Sequence, residues 1–148
     1  MATLTTTITE SVTINGATRG NTISQDFTIH DVFERVVTVP TSEVTLYSTH
    51  ASVPEGNVFD DDFVKYARIT NLDANNFITL SITNAGSDEA LFKVLAGDSF
   101  ILTLHDDSTS FKEGGAADDA SLHAISTIKA QANSAACQVE VFVGSSNA

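Results

Sequence analysis

Carboxylate clusters are the side chains of this sequence best suited to bind a metal ion. They are adjacent in two acidic stretches: Asp60, Asp61, Asp62, Asp106 and Asp107. Ca²⁺ is the ion that irregular acidic loops favour, because it accepts carboxylate and carbonyl oxygens in flexible geometry. The run of three lacks the spaced ligands and closing Glu of an EF-hand, and acidic loops on a protein of net charge -12 are usually solvated. These residues are therefore weak calcium candidates, and no metal ion is predicted to be required.

Histidine and cysteine give no catalytic pattern. His30, His50, His105 and His123 are far apart, and no two have the close spacing of a metal-binding pair. Cys137 is the single cysteine, which excludes an intrachain disulfide and a cysteine-based zinc site and predicts a small buried side chain. The sequence also lacks a Gly-x-Ser-x-Gly elbow, a glycine-rich phosphate loop and the two-His-plus-Glu cluster of metal-binding cupins. A protein without enzymatic activity and without a cofactor is predicted.

Aromatic residues give little support for sugar binding. Proteins that bind carbohydrate commonly stack exposed aromatic rings on the sugar. This chain has no Trp, and Tyr47 and Tyr66 are its two tyrosines. A carbohydrate- or calcium-binding β-sandwich module is therefore retained as the alternative function from a different class.

Charge and length narrow the classes of partner. The 148 residues suit one domain with one core. Nineteen acidic residues against seven basic ones give the net charge of -12, which repels polyanions and makes nucleic acid an unfavourable partner. No apolar run is long enough to span a bilayer, and the first residues lack the features of a secretory signal, so no membrane association is expected.

Alternating apolar and polar residues predict about ten short strands and almost no helix. The segment from Phe63 to Leu104 is predicted to form a four-stranded antiparallel meander. For 122–131 a strand is preferred, although the frequent Ala residues of 116–136 make a helix the rival prediction. The predicted fold is all-β: a single domain over residues 1–148, folded as a two-sheet antiparallel sandwich resembling a jelly roll.

The N-terminal strand is the predicted partner-binding element. Residues 3–14 alternate between an apolar face and a Thr face. Asn15-Gly16 is a strong hairpin signal before a return strand over 23–29, although Ala17-Thr18-Arg19-Gly20 makes a wider loop equally possible. A long Thr-faced strand can extend the sheet of another protein through main-chain hydrogen bonds. Residues 1–14 are therefore a predicted docking arm, and its contact residues are Leu4, Thr5, Thr7, Ile8, Thr9 and Val12. Residues 145–148 are predicted to form a frayed tail.

Several segments, mostly in the second half of the chain, carry a resemblance to a known class of protein. They are Val36–Pro40, Val64–Asp73, Asn76–Ile78, Ile128–Asn133 and Val139–Val143. These segments resemble small virion structural proteins encoded by tailed phages, particularly phages of marine bacteria and cyanobacteria. They are structural rather than catalytic motifs.

The resemblance implies a head decoration, or cement, protein that reinforces the capsid lattice. Its implied partners are the major capsid protein and copies of itself, in a homotrimer that follows the local three-fold symmetry of the lattice. Its implied location is the outer surface of the virion head, after synthesis in the host cytoplasm, since a subunit of net charge -12 is repelled by the packaged DNA inside. A tail or fibre component is the alternative placement.

Overall fold

Alternating residues form strands through most of the chain that this computed structural model describes, namely residues 1–49, 59, 63–103, 110–111 and 123–146. In chain order the strands are β1 (Ala2–Thr9), β2 (Val12–Ile14), β3 (Ala17–Arg19), β4 (Thr22–Ile29), β5 (Asp31–Val39), β6 (Val44–Ser48), β7 (Val64–Asn71), β8 (Ile78–Asn84), β9 (Glu89–Val94), β10 (Ser99–Thr103), β11 (Ser110–Phe111), β12 (His123–Ala132) and β13 (Cys137–Ser145). These described ranges contain no α-helix, so the strand prediction over 122–131 is confirmed from residue 123 onward and the rival helix is wrong there.

Two antiparallel sheets form the body of the molecule. The first has the order β10-β7-β13-β5, and the second has the order β9-β8-β12-β6. Residues 127–130 of β12 pair with both β6 and β8, which places β6 on the edge of β12 opposite β8. The short strand β11 pairs with the beginning of β12.

The path of the chain between these sheets is that of a jelly roll. From β5 to β8 every connection crosses from one sheet to the other, β8 and β9 form a hairpin, and the crossing then resumes through β10, β12 and β13. Eight strands divided in this way between two sheets make the double Greek key of a jelly roll. The predicted all-β sandwich is therefore confirmed, including its jelly-roll character.

The meander predicted over Phe63–Leu104 is wrong in its pairing. Four strands do form there, but β8 and β9 are the consecutive pair, while β7 and β10 pair with each other in the opposite sheet. Alternation identifies the buried face of a strand and leaves its lateral neighbours undetermined. Each sheet must cover its apolar face with another layer, and the β8–β9 hairpin folds over β7 and β10 to do so.

The core lies between the two sheets and is formed by the inward-facing residues of each strand. From the first sheet it includes Val39, Ile69, Val139, Val141 and Val143; from the second it includes Ile78, Leu80, Ile82, Ile128 and Ala130. Burying one aliphatic side chain of this kind contributes about 1.5–3 kcal/mol. Cys137 is also buried in this core, as predicted.

A buried asparagine fixes one end of the sandwich. The side-chain amide of Asn71 donates to the carbonyl oxygens of Asn76 (2.8 Å) and Leu95 (3.1 Å), and its Oδ1 accepts the Asp73 N–H at 3.1 Å. Asn76 follows β7 and Leu95 follows β9, so one side chain ties together turns that connect the two sheets. Its polar atoms are satisfied inside the protein, as burial requires.

The predicted tail is shorter than expected. Ser145 is fully buried in β13, and the N–H of Ser146 donates to the carbonyl oxygen of Phe63 at 2.9 Å. Main-chain hydrogen bonding therefore continues to Ser146, which corrects the frayed tail at its first two residues. The other two, 147 and 148, lie outside the described part of the chain.

Candidate partner-binding site

Residues 2–29 form one long hairpin, called the arm below, that is separate from the two body sheets. β1 pairs with β4 from Ala2↔Ile29 to Thr9↔Thr22, and β2 pairs with β3 in the same register. Asn15 and Gly16 have φ values of 53° and 78°, the two positive angles of a type I′ turn. The hairpin predicted from Asn15-Gly16 is thus confirmed.

A short interruption divides the arm into a base and a tip. Between β1 and β2 the Glu10 N–H donates to the Asn21 carbonyl oxygen at 2.8 Å, so the two chains stay paired. Gly20 beside them has φ +142°, and a Cβ there would collide with the carbonyl oxygen of Glu10. Glycine is required at this position because an L side chain rarely adopts that angle and has no space here.

The Thr face of the arm is bonded within the arm. Thr5 Oγ1 donates to Asp26 Oδ1 at 2.7 Å, Thr7 Oγ1 lies 3.2 Å from Ser24 Oγ, and the Thr22 hydroxyl donates to Thr9 Oγ1 at 3.3 Å. Each of the predicted contact residues Thr5, Thr7 and Thr9 therefore has a cross-strand partner. These pairs stabilise the two-stranded arm, which has no second sheet of its own.

The opposite face of the arm is apolar, and its base is anchored on the body. Leu4 packs with Phe27 and Ile29 against Tyr66 of β7 and Phe142 of β13. The Tyr66 ring lies edge-on to Phe142, with centroids 5.8 Å apart. Of the predicted contact residues, Leu4 is thus engaged within the molecule.

Beyond this anchor the apolar face is open to solvent. The half-exposed side chains, called the apolar stripe below, are Ile8, Val12, Ile14 and Ile23, between 48% and 58% exposed. Ile8 and Val12 are predicted contact residues, whereas Ile14 and Ile23 were missing from that prediction. The signal that could have located Ile23 is the Asn15-Gly16 turn, because a two-residue loop fixes the register that sets Ile23 opposite Ile8.

A groove of about 340 Å³ runs between the base of the arm and the outer face of the first sheet. It is lined by Leu4 to Ile8 along β1 and by Tyr66, Arg68, Ile101 and Phe142 of the body. Arg68 makes two hydrogen bonds to the Glu140 carboxylate, at 3.1 and 3.2 Å, and its pKa is raised chiefly by this bonding. The guanidinium is therefore already paired inside the groove.

The residues proposed for metal and sugar binding gain no support from the described part of the chain. The calcium candidates Asp60, Asp61, Asp62, Asp106 and Asp107 lie outside it. Within it, no three His, Cys, Asp or Glu side chains group as a metal site would require. Tyr47 and Tyr66 are both buried, so neither ring offers a stacking surface for a sugar. The described residues also include no helix that is long and apolar enough to cross a membrane.

Comparison with known proteins identifies no relative. No protein-family model, no curated protein and no solved structure matches the chain. Function is therefore inferred from the geometry of the arm and the body, together with the charge of the chain.

Proposed function

We propose that this protein is a non-enzymatic structural protein of a phage virion, a head decoration protein that binds the outer capsid surface and reinforces the lattice. The arm is its attachment element, and the major capsid protein is its partner. The observation that carries the proposal is the apolar stripe on a hairpin whose base is anchored and whose tip is exposed.

The apolar stripe has the chemistry of a contact surface. A two-stranded hairpin is marginally stable in water, so an arm with four half-exposed aliphatic side chains gains from a covering surface. The hydroxyls of the Thr face already pair across the two strands of the arm, whereas the described chain does not cover the apolar face beyond the anchor, which makes the apolar face the better binding side.

The distribution of charge supports attachment through the arm. Residues 1–29 contain Glu10, Asp26 and Arg19, a net charge of -1 out of the total of -12. The body therefore carries most of the negative charge, while the arm approaches another protein with little electrostatic cost. The same negative body is repelled by packaged DNA, which favours the outer surface of the head.

Removing the tip while keeping the anchor tests the role of the arm. Because the Glu10 N–H donates to the Asn21 carbonyl oxygen, replacing residues 11–20 by Asn-Gly should close the hairpin in the same register. Deleting Met1–Thr13 is a poorer experiment, since it would also uncover Phe27 and Tyr66 of the anchor. The shortened protein should fold normally and cosediment more weakly with heads of the phage that encodes it, because it lacks Val12 and Ile14 of the stripe and keeps Ile8 and Ile23.

Point variants on the two faces of the tip provide a matched comparison. The double variant V12S/I14S removes two apolar side chains of the stripe and should weaken head binding about tenfold or more. The control T13A/T18A changes the opposite face, where these two hydroxyls pair at 3.3 Å, and should bind as the wild type does. Equal binding by wild type and V12S/I14S would refute attachment through the stripe.

Isolated tails serve as the second target in the same sedimentation assay. If the wild-type protein binds tails and not heads, the protein is a tail or fibre component and the head placement is wrong. Binding to neither would refute the virion proposal itself, whatever the behaviour of the variants.

A further inference from the structure

A second exposed surface lies on the body, at the β9 edge of the second sheet. Within the described part of the chain β9 pairs with β8 alone. Leu91, in the middle of β9, is 63% exposed, and Phe92 beside it is 38% exposed. An edge strand with exposed apolar residues is a template for pairing with another strand unless something blocks it.

The main-chain groups of β9 that remain open can be assigned from its pairing with β8. The N–H of Asn84 donates to the Asp88 carbonyl oxygen at 3.1 Å, which makes these two residues a hydrogen-bonded pair at the start of the ladder. Hydrogen-bonded and non-hydrogen-bonded pairs alternate along antiparallel strands. The N–H and C=O groups of Glu89, Leu91 and Lys93 therefore point away from β8, toward the open side of the sheet.

The charges of β9 are arranged symmetrically about Leu91. Glu89, Leu91 and Lys93 share the outer face of the sheet, opposite Thr83, Ser81 and Thr79 of β8. If two copies of β9 pair antiparallel about a two-fold axis at Leu91, Glu89 of each copy faces Lys93 of the other. Opposite charges directly across antiparallel strands stabilise the pair, and Leu91 then meets its own symmetry copy.

We propose that two copies of this chain associate through β9, antiparallel and with Leu91 on the two-fold axis. The six open main-chain groups of each copy would form about six hydrogen bonds and join the two second sheets into one continuous sheet. This dimer is independent of the arm and of the virion proposal. It gives an even number of copies, in contrast to the trimer that the phage resemblance implies.

The β5 edge of the first sheet lacks the same symmetry. Its outer-face residues pair with Gly144, Phe142, Glu140 and Gln138 of β13, and they are Val32, Glu34, Val36 and Thr38. Glu34 is the charged member of this row, and no residue in the row carries a positive charge to face it in a second copy. The order Glu-x-Leu-x-Lys of β9 thus distinguishes this edge from the β5 edge and makes a second copy a charge-matched occupant.

Sedimentation of the purified full-length protein, without phage particles, gives the first measurement. A monomer–dimer equilibrium is expected over concentrations from about 1 μM to about 1 mM, since a small interface is typically weak. A protein that stays monomeric throughout, or forms trimers and no dimers, would overturn the proposal. Neither result would bear on head binding, so this proposal and the virion proposal fail separately.

Cross-linking tests the position of the axis. Leu91→Cys should be captured as a covalent dimer by a short bis-maleimide, because the two substituted Cα atoms lie about 5.5 Å apart in a hydrogen-bonded antiparallel pair. Leu72→Cys is the matched control, a half-exposed leucine outside the strands, and should not be captured as a covalent dimer. The wild type controls for Cys137, which is fully buried. Equal capture of both variants would show random collision and refute the specific pair.

Charge exchange tests the register. Lys93→Glu opposes two carboxylates at both ends of the pair and should weaken dimerisation about tenfold. The double variant E89K/K93E restores opposite charges and should recover wild-type dimerisation. Arg35→Glu makes the same change of charge on β5 and should have no effect. Failure of the double variant to recover, with an unchanged melting temperature, would exclude pairing about Leu91.

Discussion

The body and the arm use the same alternation of residues and reach different degrees of burial. In β8 the side chains of Ile78, Leu80 and Ile82 are fully buried, whereas Ile8 and Ile14 of the arm are about half exposed. The difference is a second layer: β8 faces the first sheet across the core, whereas every residue of β2 and β3 in the tip of the arm is exposed. Alternation therefore records which face of a strand is apolar, and the described chain covers that face in the body and at the base of the arm but leaves it exposed in the tip.

This difference also separates two kinds of polar residue. In the body, Asn71 is buried and its amide satisfies carbonyl groups that the fold has removed from water. In the arm, Thr5, Thr7 and Thr9 remain exposed, and their hydroxyls pair across the two strands. The buried Asn71 thus connects turns between the two sheets of the body, whereas the exposed Thr hydroxyls connect the two strands of the arm.

The largest expected effect comes from deleting core volume in the body. Leu80→Ala should lower the free energy of unfolding by about 3 kcal/mol, because it leaves a cavity at a side chain that is fully buried. Ile14→Ala in the arm should change it by less than about 0.5 kcal/mol, since Ile14 is 53% exposed. Urea denaturation followed by circular dichroism measures both. Similar losses from the two variants would mean that the tip is packed in the free protein.

A smaller effect, confined to the arm, is expected from Gly20→Ala. The added Cβ collides with the main chain of Glu10 at a φ of +142°, which should destabilise the middle of the hairpin by about 2 kcal/mol. Hydrogen exchange should then speed up for amides of residues 8–23 while β7, β8 and β13 stay protected. Gly16→Ala is the contrasting variant, because its Cβ would meet nothing within 4 Å and only its φ of +78° is strained. Loss of protection in the body as well would show that the arm and body unfold together.

A loss smaller than those of Leu80→Ala and Gly20→Ala is expected at neutral pH from Tyr47→Phe in the body. The Tyr47 hydroxyl accepts the Phe59 N–H at 3.2 Å, and losing this bond should cost about 1 kcal/mol. Burial raises the pKa of Tyr47 from 10.0 to about 12, although the hydrogen bond from Phe59 opposes the shift. The native state favours the neutral phenol. The free energy of unfolding should therefore be unaffected by Tyr47 ionisation below pH 10 and should fall as the pH rises from 10 to about 12.

Urea titrations between pH 8 and pH 12 check this dependence. The wild type should lose stability in the upper part of that range more steeply than Tyr47→Phe, which has no phenol to ionise at this position. The absorbance of the phenolate should show one tyrosine that ionises near pH 12 in the folded protein. Parallel pH dependence in the two proteins would contradict burial of a neutral Tyr47.

Local patterns were sufficient to predict several elements of the fold. The alternation in β8 and β13 predicted strands with one buried face, and Asn15-Gly16 predicted a hairpin turn. Each of these features depends on residues close in sequence. The assignment of β7 and β10 to one sheet and of β8 and β9 to the other was missed, because it depends on strands separated by tens of residues.

The partner-binding prediction divides in the same way. The alternation of residues 3–14 predicted a strand whose apolar face includes Ile8 and Val12, whereas their exposure is a finding of the structure. That Thr5, Thr7 and Thr9 pair within the arm could be known only once the return strand was placed opposite them. Leu4 was assigned to a partner but packs against Tyr66 and Phe142, which lie far along the chain.

By itself, the sequence determined the all-β fold class, the Asn15-Gly16 turn, the acidic net charge and the apolar face of each strand. These features depend on side-chain chemistry and short-range periodicity. The tertiary structure alone decided the jelly-roll order of the sheets, the anchoring of the arm and the open edge at β9. Those features depend on which surfaces remain uncovered after two sheets have packed together. The symmetric order of Glu89, Leu91 and Lys93 was present in the sequence from the start, and it acquired meaning only when β9 proved to be an edge.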